Sequence, residues 1–89
     1  MKIEVLFFAR LRELAGVRST QVVLADGERL ADLLEQLSGE YGVTFQKEMA
    51  SIEELRILVN GQENEVLDGM ATGLKEGDTV VLLPPVAGG

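Results

Sequence analysis

The chain has 89 residues, which is one domain, and carries 15 acidic against 8 basic side chains for a net charge of −7. Its 46% hydrophobic content suits a packed core, and the absence of His and Cys excludes a thiol nucleophile, a histidine base, a Cys/His zinc site and a disulfide framework. Lack of cysteine fits a reducing cytoplasm, the acidity disfavours nucleic acid, and no apolar run approaches the ~18 residues of a membrane span. The opening Met1-Lys2-Ile3-Glu4 alternates charge with apolar residues and does not read as a signal peptide.

Residues 2–8 alternate polar and apolar and predict a first strand. Residues 9–16 predict one or two helical turns stopped by Gly16, and residues 19–25 a second strand closed by the Asp26-Gly27 turn. From Glu28 to Tyr41, the residues Leu30, Leu33, Leu34, Leu37 and Tyr41 form one helical stripe, expected in the core. Asp26 is the expected cap, Glu28 suits the positive helix end, and Gly42 ends the helix. Residues 43–54 are mixed and charged and read as a loop with at most a short helical turn. Residues 55–59 predict a third strand, Asn60-Gly61 a hairpin turn, and Glu63–Val66 a short polar fourth strand. After a glycine-punctuated stretch, residues 78–83 predict a last strand that Pro84-Pro85 stops, since proline has no N–H for a ladder.

One crossover helix between two hairpins closes most simply as an α+β, β-grasp fold. Its mixed sheet has four to five strands, with one main helix packed on one face. The expected organisation is a domain over residues 1–83 and a tail over residues 84–89. No phosphate-loop or dinucleotide motif is present. Glu53-Glu54 and the Glu63, Glu65 pair read as solvated carboxylates, and no catalytic residue, metal ligand or bound cofactor is expected.

A single helix covers a single sheet face, so the other face is expected to be polar. Yet if Ile3, Val5 and Phe7 point at the helix, Leu6 and Phe8 point away; if Ile57 and Val59 point in, Leu58 points out. In the last strand both phases are apolar, and Val81 with Leu83 are placed outward. Surplus apolar residues at Leu6, Phe8, Leu58, Val81 and Leu83 would form an exposed patch, the mark of a protein interface.

The tail reads Pro84-Pro85-Val86-Ala87-Gly88-Gly89. A diproline exit in polyproline geometry would carry Gly89 roughly 18 Å from the sheet, at ~3.1 Å per residue. Side-chain-free Gly88 and Gly89 suit a carboxylate that threads a narrow channel into another protein's active site. A carboxylate is a poor electrophile and would need activation, most simply as an acyl-adenylate.

The stretch Lys2-Ile3-Glu4-Val5-Leu6-Phe7-Phe8-Ala9-Arg10-Leu11-Arg12-Glu13 resembles the opening of the ubiquitin-like sulfur-carrier family, in particular molybdopterin synthase small subunits. So do Val59-Asn60-Gly61, Leu74-Lys75-Glu76-Gly77-Asp78 and the run from Leu83 to Gly89. The likeness covers essentially the whole chain, with its specificity in the first and last stretches. It implies adenylation of the Gly89 carboxylate by an E1-like enzyme using ATP and magnesium, then conversion to a thiocarboxylate by a sulfur donor. The tail would next insert into the large synthase subunit, in an expected heterotetramer, for molybdopterin formation. Archaeal small modifier proteins are also similar and end in the same diglycine. That resemblance implies an isopeptide bond from Gly89 to target lysines, and the residues alone leave both roles open beside that of a plain interaction module.

Overall fold

The computed structural model describes residues 1–52 and 54–85. Strand β1 (Lys2–Phe7) alternates as the sequence predicts, with Ile3, Val5 and Phe7 fully buried on one face. Helix α1 (Ala9–Ala15) follows and stops at Gly16, whose φ of 78° lets its N–H donate to the Arg12 carbonyl at 2.9 Å. Strand β2 (Ser19–Val23) returns antiparallel to β1. Helices α2 (Leu30–Tyr41) and α3 (Val43–Ser51) come next, then β3 (Arg56–Val59), a two-residue β4 (Gln62–Glu63) and β5 (Thr79–Leu83). Single 3₁₀ turns at Asn64–Val66 and Gly69–Ala71 lie between β4 and β5.

The sheet has five strands in the order β2-β1-β5-β3-β4. β5 lies at its centre, parallel to β1 and antiparallel to β3. Its start is pinned to the β3–β4 hairpin by side chains as well as backbone. Asn60 sits at φ 50° ahead of Gly61 at φ 84°, the left-handed pair a tight hairpin requires. The Asn60 side chain donates to the Asp78 carboxylate at 2.8 Å and accepts from the Thr79 N–H at 2.9 Å. Asp78, itself buried, also accepts from the Lys75 N–H at 2.8 Å. The core lies between the sheet and the helices, with Leu30, Leu33 and Leu37 of α2 fully buried against Val80 and Leu82 of the same cluster.

The helical region departs from the sequence reading in several ways. α2 begins at Leu30, not Glu28, and Asp26 does not cap it. The Arg29 N–H is taken instead by the Asp32 carboxylate at 2.7 Å, while Glu28 closes the preceding turn by accepting from the Ala25 N–H at 2.7 Å. Leu34 is only half-buried at the edge of the stripe, so the fully buried stripe narrows to Leu30, Leu33 and Leu37. Residues 43–51 are a helix and not a loop. Their hydrophobic period is weak because Phe45 alone is fully buried, and packing supplies what the pattern lacks. The Phe45 ring meets Phe7 edge-on at 5.7 Å and Tyr41 at 5.2 Å, and Phe7 meets Tyr41 edge-on at 5.5 Å. The fourth strand ends at Glu63, and Asn64–Val66 turns away as 3₁₀.

Two truncations test this packing in denaturant melts. Phe45→Ala should cost ~3–5 kcal/mol, as a fully buried aromatic does. Leu34→Ala should cost about 1 kcal/mol, in proportion to its partial burial, while Leu33→Ala costs roughly 2–5 kcal/mol. Equal losses at Leu33 and Leu34 would contradict the observed helix face.

Candidate functional site

With the helices on one side, the other face of the sheet lies open. Register places Leu6 opposite Val81 and Val81 opposite Leu58, giving one apolar row across the three middle strands. Ser19 and Glu63 close the row at its two ends. Leu83, two residues along β5 from Val81, lies opposite Arg56, so the apolar surface continues toward the end of the central strand. The outward phase assigned to Val81 and Leu83 is the one observed: Val80 and Leu82 are buried, and their neighbours are not.

The surface is less exposed than the sequence suggested. Leu6, Phe8, Leu58, Val81 and Leu83 are all half-buried, and the exposed large apolar side chains among the described residues, Val17, Val23, Val43, Val66 and Met70, are none of these five. Cross-strand neighbours ~5 Å apart shield one another's flanks, leaving mainly the tips to solvent. Phe8 also differs in position. It lies beyond β1, at the entry of α1, and the chain turns sharply out of the sheet at Ala9, whose φ is 52°. Its ring is covered by the Arg12 guanidinium, 5.1 Å from the ring centroid, and Arg12 Nε donates to the Phe7 carbonyl at 3.1 Å. Sequence reasoning passed over Arg12, although its spacing of four from Phe8 on a helix start signals the contact.

β5 runs straight to this end of the sheet. It is hydrogen-bonded on both sides through Leu82 and on the β3 side at Leu83, and Pro84, half-buried, then Pro85, exposed, end the ladder. Val86, Ala87, Gly88 and Gly89 lie outside the described residues. Among the described residues no group of three or more acidic side chains is gathered as a metal would require, and no helix is long and apolar enough to cross a membrane.

A model of the ThiS family matches residues 5–89. The chain belongs to the ThiS family. It is 39% identical over 92 residues to small archaeal modifier protein 3 of Haloferax volcanii, and the match covers all of both chains. It is 35% identical over 89 residues to the molybdopterin synthase sulfur carrier subunit of Chlamydomonas reinhardtii, again covering all of both. The solution structure of small archaeal modifier protein 1 from Methanosarcina acetivorans superposes with a TM-score of 0.81 at 31% identity, covering 99% of this chain and 96% of that one. The ubiquitin-like β-grasp reading of this ThiS-family chain is thereby confirmed as a fold. Among the described residues its sheet is at the upper bound of the expected strand number; beside the main helix it has α1, the helical turns expected over residues 9–16, and α3, which was not expected.

The two faces of β3 should separate cleanly on mutation. Ile57→Ala, toward the helices, should cost ~2–5 kcal/mol in a denaturant melt. Leu58→Ala, on the open face, should cost about 1 kcal/mol or less. A larger loss at Leu58 than at Ile57 would reverse the assignment.

Proposed function

We propose that this chain is a sulfur carrier whose terminal Gly89 is adenylated and thiocarboxylated, and that it donates the sulfur in molybdopterin formation as the small subunit of a molybdopterin synthase. The observation that carries the proposal is the placement of the tail's origin. A central strand, fixed by ladders on both sides, ends in Pro84-Pro85 beside an open apolar sheet face. Such a surface gives a partner a rigid platform to grip while the segment beyond Pro85 enters its active site. The whole-length likeness to a sulfur carrier subunit, by name one part of a larger enzyme, supports the same reading.

The chemistry needs no catalytic group from this chain. A Gly89 carboxylate oxygen attacks the α-phosphorus of ATP, with magnesium, on an E1-like enzyme; pyrophosphate leaves and an acyl-adenylate forms. A hydrosulfide equivalent from the sulfur donor then attacks the acyl carbon, and AMP leaves. The thiocarboxylate passes its sulfur to the pterin precursor on the large subunit, and the carboxylate is regenerated by water. ATP and magnesium are bound by the activating enzyme. Leu6, Phe8, Leu58, Val81 and Leu83 are the proposed anchors for the partners. In complexes of this kind a few central side chains supply most of the affinity.

A second reading is favoured by a specific observation, the whole-length likeness to a small archaeal modifier protein. In it, a target lysine's Nζ attacks the same acyl-adenylate, AMP leaves, and an isopeptide bond forms. Both readings use one activated terminus and are compatible in one molecule.

Intact-mass spectrometry tests both. Incubation with the E1-like enzyme, ATP, magnesium and a sulfur donor should exchange one oxygen for one sulfur, and adding large subunit and pterin precursor should reverse the gain. Deleting Gly89 should abolish the exchange while leaving the melting curve unchanged, since Gly89 lies past Leu82, the last buried core residue among the described residues. Modifier action yields Gly-Gly remnants on target lysines after proteolysis. Molybdopterin formation and conjugation that both persist without Gly89 would overturn both readings.

A further inference from the structure

Charge is distributed unevenly about the end of the sheet from which residues 84–89 depart. On the β1 side lie Arg10, Arg12 and Arg18. Arg12 reaches back to the Phe7 carbonyl at 3.1 Å and covers the Phe8 ring. Arg18 precedes β2, and its carbonyl takes the Phe7 N–H at 2.8 Å, which sets the exposed Arg18 at the same corner. Arg10 occupies the first turn of α1 and pairs with Glu13 at 3.1 Å, both well exposed. On the other side of β5 the balance reverses. Arg56, opposite Leu83, is paired with Glu63 and shares a shallow depression with Glu54 and Glu65. The opposite end of the sheet gathers Asp78 and Glu76, the latter accepting from the Lys2 N–H at 3.0 Å. In a chain of net charge −7, the arginines other than Arg29 and Arg56 thus collect at one corner beside the tail's origin.

Resting on the carrier or modifier reading, we propose that this corner is the docking point for an acidic strip on the activating enzyme, bordering the opening that receives the tail. Guanidinium groups bind carboxylates through paired donors, so the contact carries direction as well as attraction. Because the opposite flank around Arg56 is acidic, the strip is matched in only one rotational setting about the tail. The apolar row provides contact area, and the corner fixes the angle at which that area meets the enzyme. Like charges set against each other in the wrong setting penalise it. Rim charges of this kind act mainly on association rate and its salt dependence.

The experiment measures association of the whole chain with its E1-like enzyme by stopped flow at 50, 150 and 500 mM sodium chloride, all three roughly spanning the range over which screening acts. Arg12→Gln, Arg18→Gln, Arg29→Gln and Arg56→Gln each change net charge by the same amount, so overall repulsion cancels in the comparison. The result expected is a several-fold slower association for the Arg12 and Arg18 variants at low salt, converging on the wild type at high salt, with Arg29 and Arg56 variants near wild type throughout. Arg12→Lys keeps the charge and should recover part of the rate, which separates docking from the Phe8 contact. Equal effects at all four positions, or faster association for the Arg12 and Arg18 variants, would overturn the acidic strip while leaving the carrier and modifier readings intact. Failure of the wild-type chain to bind the enzyme at all would overturn the strip together with both of those readings.

Discussion

The parallel pairing of β1 with β5 is the constraint on which the rest of this molecule depends. It joins the first strand to the last and makes β5 the centre of the sheet. Everything between them, namely α1, β2, the two successive helices α2 and α3, the β3–β4 hairpin and two 3₁₀ turns, closes that one long-range contact. Parallel neighbours require a crossover, and α2 with α3 provides it while covering the buried face. The pairing also explains where the chain can act. A terminal segment leaving an edge strand would fray with it. One leaving a strand laddered on both sides departs from a fixed point.

The two faces of the sheet then divide the work. Ile3, Val5, Phe7, Ile57, Val80 and Leu82 pack under the helices and hold the fold. Leu6, Leu58 and Val81 occupy the same strands in the opposite phase and hold nothing beneath them. Half-exposed apolar residues in register add little to a monomer's stability, and on this account their use is in complexes. The Asn60–Asp78–Thr79 network secures the far end of β5, and the Arg12–Phe8 contact organises the near end.

Much of this was legible from residues alone, because strands with one buried face alternate strictly. Ile3, Val5 and Phe7 against Leu6 gave the phase of β1, Asn60-Gly61 gave the hairpin, and the leucine stripe gave α2. α3 was not legible. Phe45, Met49 and Ile52 recur at i, i+4 and i+7 and pack on the core, but exposed Val43 and the charged Lys47 and Glu48 blur that short stripe, and the ring cluster with Phe7 and Tyr41 is what anchors it. Leu34 misled because a stripe does not reveal its own edge. The apolar residues of the open face were readable from alternation, and the Arg12–Phe8 contact from its spacing of four, whereas the place of Arg18 was not, because it follows from the β1–β2 register. Which side chains of β5 face outward was undetermined by sequence because both sets are apolar, and pairing with β1 and β3 decides it.

The central claim is that partners grip the open sheet face and not the helices. Methyl cross-saturation from the unlabelled activating enzyme to the labelled chain measures this directly. The account predicts transfer to the methyls of Leu6, Leu58, Val81 and Leu83, with Leu34 of α2 and Val43 and Met49 of α3 silent. Saturation centred on the α2–α3 methyls, with the sheet face silent, would contradict it.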